Sequence, residues 1–335
     1  MGKYQNFIPE NVALPGARRV AIYDARGNRV GQIPLGPLTP PVPGKRLYSF
    51  GALSDVHIVY TTAAADFQKA LTYLNDTEDV AFTCACGDLT ENGSAEQLAV
   101  YKDHVDTYSA NTPVYAIAGN HEATNEANTT ARIQPYTGQP LYYSFTHGDD
   151  VFIMLGEYRW SSSALFEDGE LQWLYEILEA NRNKRCFVFF HVFPWGDCGN
   201  ANGAYEHDLF TGPQGNVFKS LLAHYKNVTL FHGHSHFKLY LQEEDEKANY
   251  SSALGFRSVH IPSLAVPRDV VNGSRVDIYA ASEGYVVDVY PDGIHLRGRD
   301  FVAEKFLPIA SYWLDTTLQI VEAGTYTDST GTIKT

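Results

Sequence analysis

Phe231-His232-Gly233-His234-Ser235-His236 presents imidazoles two residues apart, directly after the apolar run Val228-Thr229-Leu230. A strand that ends in metal ligands has this form. The arrangement recurs along the chain. Asp55-Val56-His57 follows Leu47-Tyr48-Ser49-Phe50-Gly51-Ala52-Leu53, and Gly87-Asp88 follows Val80-Ala81-Phe82-Thr83-Cys84-Ala85-Cys86. Gly119-Asn120-His121-Glu122 follows Pro113-Val114-Tyr115-Ala116-Ile117-Ala118, and His191 closes Cys186-Phe187-Val188-Phe189-Phe190. Near-continuous apolar runs mark strands buried on both faces, and in layered α/β folds the ligand crevice lies beyond the carboxyl ends of the strands. The polar clusters are therefore expected to converge on one rim.

A divalent ion is held by neutral imidazoles and carboxylates, and the two oxygens of a carboxylate let one Asp bridge two ions. Asp55 and His57, like His234 and His236, share a side if the backbone is extended. If Asp88 bridges, one metal has Asp55, His57 and His236 as companions and the other has Asn120, His191 and His234. This donor set exceeds the three or four ligands of one tetrahedral zinc. Two metals about 3.5 to 4 Å apart, clamping the attacking and leaving oxygens, account for all of it. Taken singly, a His after a strand is usually a hydrogen-bonded core or surface residue. That reading is kept for His104, His147, His207, His224, His260 and His295.

Between the clusters the chain alternates strand and helix. Thr61 to Asn75 places Ala64, Phe67, Leu71 and Leu74 on one face, and Ser94-Ala95-Glu96-Gln97 is a capping box opening a helix with Leu98, Tyr101, Val105 and Tyr108 inward. Leu141 to Phe145 and Val151 to Leu155 read as a hairpin, and Asp168 to Asn181 and Val217 to Tyr225 as helices. Past His236 the helical period gives way to runs at 257–261, 284–290 and 294–299, expected to form an antiparallel sheet ending the domain. Ahead of the domain, Arg19 to Tyr23 and Arg29 to Ile33 flank a turn and read as a hairpin, followed by the proline-rich connector 34–44. The chain thus divides into residues 1–46, a domain over 47–300, and an extension over 301–335 with a strand-like piece at Leu318 to Val321.

The 335 residues, 44% of them hydrophobic, suffice for a sizeable core. A net charge of -14 argues against a nucleic-acid polymer or an anionic membrane as the main partner. Cys84, Cys86 and Cys186 fall in apolar runs and read as buried thiols, and Cys198 follows His191 in a loop near the rim. No stretch approaches the about 20 apolar residues that span a bilayer, and Met1 to Glu10 lacks a leader pattern. A soluble, cytoplasmic protein is expected, although a chain whose signal peptide has been removed reads the same.

The ordered set Asp55-x-His57, Gly87-Asp88, Gly119-Asn120-His121-Glu122, His191 and Gly233-His234-x-His236 resembles the calcineurin-like metallophosphoesterase superfamily, over roughly residues 47 to 300. The resemblance implies a four-layer α/β/β/α sandwich, here with an N-terminal β-hairpin extension. It also implies two divalent or mixed-valence ions, manganese, iron or zinc, held by Asp55, His57, Asp88, Asn120, His191, His234 and His236. In such enzymes a metal-bound hydroxide attacks phosphorus in line, and His121 would contact the phosphate or protonate the departing oxygen. Glu122 and His232 stand behind the ligands; Glu122 either orients an imidazole or caps a loop. Purple acid phosphatases carry Tyr where this chain has Glu91, and protein phosphatases continue Gly-Asp into Asp-Arg-Gly, unlike Gly87-Asp88-Leu89-Thr90-Glu91-Asn92-Gly93. That wording is closest to bacterial cyclic-nucleotide phosphodiesterase relatives and favours a small phosphodiester substrate. The alternatives are a phosphomonoesterase, or an assembly protein that uses the fold as a platform and docks partners through residues 1–46 and 301–335. Specificity is expected from loops 122–139, 156–168 and 193–211, which carry Tyr136, Tyr158, Trp160, Trp195 and Tyr205.

Overall fold

The structure, a computed structural model, describes residues 45–315 except 124–128, 160–164, 195–197, 200–211, 240–248, 253 and 272–273, together with the backbone of strands near both termini. The connector 35–44, Trp160, Trp195, Tyr205 and the 318–321 piece lie outside the described residues. Residues 1–36 and 37–335 are two compact units. In the first, β1 (Arg19–Tyr23) and β2 (Arg29–Pro34) pair antiparallel, Arg19 opposite Pro34.

The second unit runs β3 (Tyr48–Leu53), α1 (Ala63–Thr72), β4 (Thr83–Cys86), α2 (Ala95–Tyr108), β5 (Val114–Ile117), α3 (Thr129–Thr137), β6 (Tyr142–His147), β7 (Asp150–Leu155), α4 (Glu170–Ala180), β8 (Cys186–Phe190), α5 (Gly212–His224) and β9 (Val228–His232). There follow β10 (Tyr250–Ser251), β11 (Arg257–His260), β12 (Arg268–Val271), β13 (Ser274–Asp277), β14 (Glu283–Val289), β15 (Gly293–Asp300), β16 (Lys305–Asp315), β17 (Tyr326–Thr327) and β18 (Ile333–Lys334). One six-stranded sheet has the order β16-β15-β14-β3-β4-β5 and the other β10-β11-β9-β8-β7-β6. Within them β3, β4 and β5 run parallel, as do β7, β8, β9 and β11.

Residues from both sheets, among them Phe50, Phe82, Phe152, Phe187, Phe231 and Tyr285, form one buried cluster, so the sheets pack face to face. Their rings meet edge-on or stacked, with Phe50 and Phe82 stacked at 5.5 Å and Phe82 edge-on to Phe152 at 4.9 Å. The outer face of the first sheet carries α1 and α2 through Phe67, Leu71 and Tyr101, and that of the second carries α4 and α5 through Leu174, Leu178, Phe218 and Leu222. This is the four-layer order expected. In α1 the buried Ala63, Phe67, Ala70 and Leu71 follow helical spacing. Ser94 caps α2 by accepting the Gln97 N–H at 3.4 Å, but the Gln97 amide does not return to Ser94. Its oxygen accepts the N–H groups of Glu91 and Asn92 at 2.9 and 3.1 Å, tying the helix start to the loop after β4.

The strands past His236 correct the expected terminal sheet. β11 lies parallel to β9 in the second sheet, whereas β14 pairs antiparallel with β3 and completes the first. All of β14 is buried, as befits a central strand, whereas its sequence specifies only an extended chain and no partner. The sheet also continues past Asp300, since β16 pairs with β15 along its edge. Helix α3 falls in a segment read as loop, with Pro135 inside it.

At the end remote from the clusters, Arg185 grips Asp150 with Nε at 2.9 Å and Nη2 at 2.6 Å, and the Tyr48 hydroxyl donates to Asp150 at 2.5 Å. Tyr48 belongs to the first sheet and Asp150 to the second, so this buried network fixes their relative position beneath the site. Glu283, at the start of β14, is also buried and accepts the Leu239 N–H at 2.6 Å. Burial pushes its carboxyl from 4.5 up to about 7. The folded protein favours the neutral acid, so this contribution to stability is full below the unfolded pKa and is lost as pH rises through about 7, a change of about 3 kcal/mol. Glu283→Gln is expected to gain stability over the parent between pH 5 and pH 8 in urea unfolding; parallel curves would refute the assignment.

Candidate metal centre

The carboxyl ends of five parallel strands bring the donors together: β3 leads to Asp55 and His57, β4 to Asp88, β5 to Asn120 and His121, β8 to His191, and β9 to His234 and His236. The expected side-sharing of extended i and i+2 pairs is not how they meet. Asp55, His57, Asp88, His234 and His236 have φ of 52, 40, 49, 74 and 65°. Each is in the left-handed region, which costs a non-glycine residue about 1 kcal/mol or more and persists only where the surroundings impose it. Here neighbouring loops impose it: Asp55 N–H donates to the Gly87 carbonyl at 3.1 Å, His57 N–H to Asp88 at 3.0 Å, and Gly233 N–H to His191 at 3.0 Å. Two glycines permit the close approach, because a Cβ on Gly119 would lie 2.3 Å from Asp88 Oδ1 and one on Gly233 1.9 Å from Ser54 Oγ.

Donor atoms of Asp55, His57, Asp88 and His236 lie within 4.8 Å of one another, and so do those of Asp88, His191 and His234. Asp88 is common to both groups. His236 Nε2 is 3.0 Å from Asp55 Oδ1, His191 Nε2 is 3.0 Å from Asp88 Oδ2, and His57 Nε2 faces His236 Nε2 at 3.2 Å. Asn120 joins the second group by accepting from His234 Nδ1 at 2.8 Å. His121 is fixed beside them. Its N–H donates to Asp88 Oδ1 at 2.9 Å and its Nδ1 to the Glu91 carbonyl at 2.5 Å, leaving Nε2 3.9 Å from Asp88 Oδ2.

The donors suit divalent ions. His191 donates Nδ1–H to the Cys86 carbonyl at 2.6 Å and His236 to that of Val266 at 3.3 Å, so in both the Nε2 is turned to the cluster. Asp55 Oδ1 and His191 Nε2 are buried there without a hydrogen bond. Burial lowers the pKa of His191, yet Asp88 and Asp55 reverse this and hold it well above the usual value. The carboxylates thus create a field that calls for positive charge, which a bound cation would supply.

Two neighbours, Glu91 and Glu157, were not among the expected site residues. Glu91 Oε2 stands 2.9 Å from His57 Nδ1, so its side chain holds a candidate ligand while its carbonyl holds His121. Carboxylates behind metal-binding imidazoles raise their basicity, and their loss typically costs about 10- to 100-fold in affinity. Glu91→Gln is expected to weaken binding of one ion on that scale in calorimetric titration with manganese; the parent's affinity would refute the role. Glu157 is fully buried near His191, and burial pushes its carboxyl well up. Glu122 receives the N–H groups of Gly119 and Thr90 at 3.0 and 2.9 Å and the Thr90 hydroxyl at 2.7 Å, so it joins two site loops as a loop cap. His232 is buried with its Nε2 3.3 Å from Cys198 Sγ and with His260 buried beside it.

The donors open into a cavity of about 140 Å³ whose wall includes Tyr60, Arg268 and Asp277. Among the described residues, those three come from the loop after β3 and from the β12–β13 hairpin; much of the loops expected to set specificity lies outside the described residues. Tyr136 and Tyr158 instead pack on Leu98, Ala118, Ile133 and Leu141.

The model of the calcineurin-like phosphoesterase family matches residues 48–238, more than half of the chain and every donor named above. The chain belongs to the calcineurin-like phosphoesterases. Among solved structures, a purple acid phosphatase from yellow lupin (Lupinus luteus) seeds is similar with a TM-score of 0.51 and 14% identity, over 82% of this chain and 55% of that one. The chain thus spans about half the length of that relative. GAP50, described as the anchor in the inner membrane complex of Plasmodium, is similar with a TM-score of 0.51 and 14% identity, over 81% of this chain and 89% of that one. At this identity the likeness concerns the fold. No curated protein gives a significant match. Among the described residues, no helix of this calcineurin-like phosphoesterase is long and apolar enough to cross a membrane. Its donor set is suited to the metal-dependent hydrolysis of phosphoesters.

Proposed function

We propose that the protein is a dinuclear-metal phosphoester hydrolase acting on small phosphodiesters. The observation that carries this reading is the sharing of Asp88 between two buried donor groups at the floor of one cavity, with His121 held beside them. Asp55, His57, Asp88 and His236 would hold one ion, and Asp88, Asn120, His191 and His234 the other. Manganese, iron and zinc all accept this mixture of imidazole, carboxylate and amide donors. Ions bound there supply Lewis acidity and acidify water at neutral pH.

The chain's own residues do the rest. The left-handed turns hold the donors before any ligand arrives, so little reorganisation accompanies binding. Asp88 Oδ1 and the Glu91 carbonyl orient His121, whose Nε2 is the atom available to carry a proton to a departing alkoxide. The resemblance of the Gly87–Gly93 segment to cyclic-nucleotide phosphodiesterase relatives favours a small diester. Bis(p-nitrophenyl) phosphate should be hydrolysed faster than p-nitrophenyl phosphate by metal-stripped protein resupplied with manganese, zinc or iron. Preference for the monoester would replace the diesterase by a phosphatase. Two bound ions with no hydrolysis of either would favour a partner-binding platform.

A further inference from the structure

Arg268 is the one Lys or Arg among the described residues that line the cavity. It is built into the site. Its N–H donates to the carbonyl of His236 at 2.7 Å and its carbonyl accepts the Lys238 N–H at 2.9 Å, so the backbone is bridged to the segment carrying two candidate ligands. It opens β12 directly opposite Asp277 of β13, and Nε donates to Asp277 Oδ1 at 3.1 Å. The other Asp277 oxygen accepts the Tyr279 hydroxyl at 3.3 Å, and the Tyr279 ring stacks on Tyr60 at 6.4 Å. The guanidinium is therefore braced through Nε, and among the described residues no hydrogen-bond partner occupies its two terminal nitrogens, which remain for a ligand.

Stability gives little reason for this arrangement, because an ion pair on a partly exposed hairpin contributes about 0 to 1 kcal/mol. A phosphoryl group gives a strong one. A planar fork of N–H donors matches two phosphoryl oxygens, and such charge-assisted contacts are short and directional. We propose that Arg268 is a substrate-binding residue whose guanidinium, aligned by Asp277, binds a non-bridging oxyanion of the phosphoryl group seated on the donor cluster. This rests on the phosphoester reading above and adds to it the protein group that recognises the scissile phosphate from the His236 side.

The probe is inorganic phosphate, titrated calorimetrically into full-length protein reloaded with manganese. Arg268→Ala is expected to weaken phosphate binding by about 10- to 100-fold, the effect of one hydrogen-bonded charge. Manganese stoichiometry and affinity should stay at the parent values. Arg268→Lys, which keeps the charge and loses the fork, should recover only part of the affinity, and Asp277→Asn, which frees the guanidinium, should fall between parent and Arg268→Ala. Parent-like phosphate affinity in Arg268→Ala overturns the proposal, and so does loss of manganese in Arg268→Lys, which would make Arg268 a support for His236. A parent that binds phosphate through Arg268 yet hydrolyses no phosphoester overturns the enzymatic reading alone. A manganese-loaded parent that binds no phosphate overturns the Arg268 proposal, while the enzymatic reading stands or falls with the hydrolysis of bis(p-nitrophenyl) phosphate.

Discussion

Asp88→Asn is expected to abolish phosphoester hydrolysis, by about a thousandfold or more, and to reduce the bound metal from two ions to one or none. Asp88 is the residue shared by both donor groups. A carboxylate can offer an oxygen to each of two cations, whereas the amide of Asn has one acceptor and turns a donor N–H₂ toward the second. The magnitude is that of losing a group on which transition-state charge stabilisation depends. Folding should survive, because the Asn oxygen can still accept the His121 N–H, and the Asp88 carbonyl that receives His57 N–H is main chain. Metal analysis after dialysis, beside rates with bis(p-nitrophenyl) phosphate, provides the check. Two retained ions at near-parent activity would show that Asp88 bridges nothing.

His121→Ala should leave both ions bound and lower turnover by about 10² to 10⁴, the range for a positioned general acid. The effect should depend on the leaving group. p-Nitrophenolate departs as a stable anion, so the loss with bis(p-nitrophenyl) phosphate should be the smaller; an alkyl diester releases an alkoxide that needs the proton, and its loss should be the larger. Equal losses with both substrates, accompanied by a higher KM, would instead make His121 a phosphate contact. The imidazole is held through its own Nδ1 and its backbone N–H, so removing it leaves the neighbouring ligands their own partners.

The sequence by itself determined which strands are buried and which residues end them. Apolar runs such as Cys186 to Phe190 have no polar face to offer water, so they had to become interior strands, and the polar residue after each had to stand at a strand's carboxyl end. Helices α1, α2, α4 and α5 were legible for a like reason, since one apolar face repeats at helical spacing, whereas α3 was not. Only the tertiary structure decided the partners and the angles. β14 reads like any short strand until it is found buried between β3 and β15, because pairing is a property of two segments and neither carries the other's register. The left-handed turns at Asp55, His57, Asp88, His234 and His236 were equally invisible, since Asp and His enter that region more readily than most residues but are extended or helical far more often. Contacts from loops distant in the chain impose those angles. Glu91 and Arg268 gained their places beside the donors in the same way, through neighbours that meet them only when the two sheets are packed and the hairpin is closed.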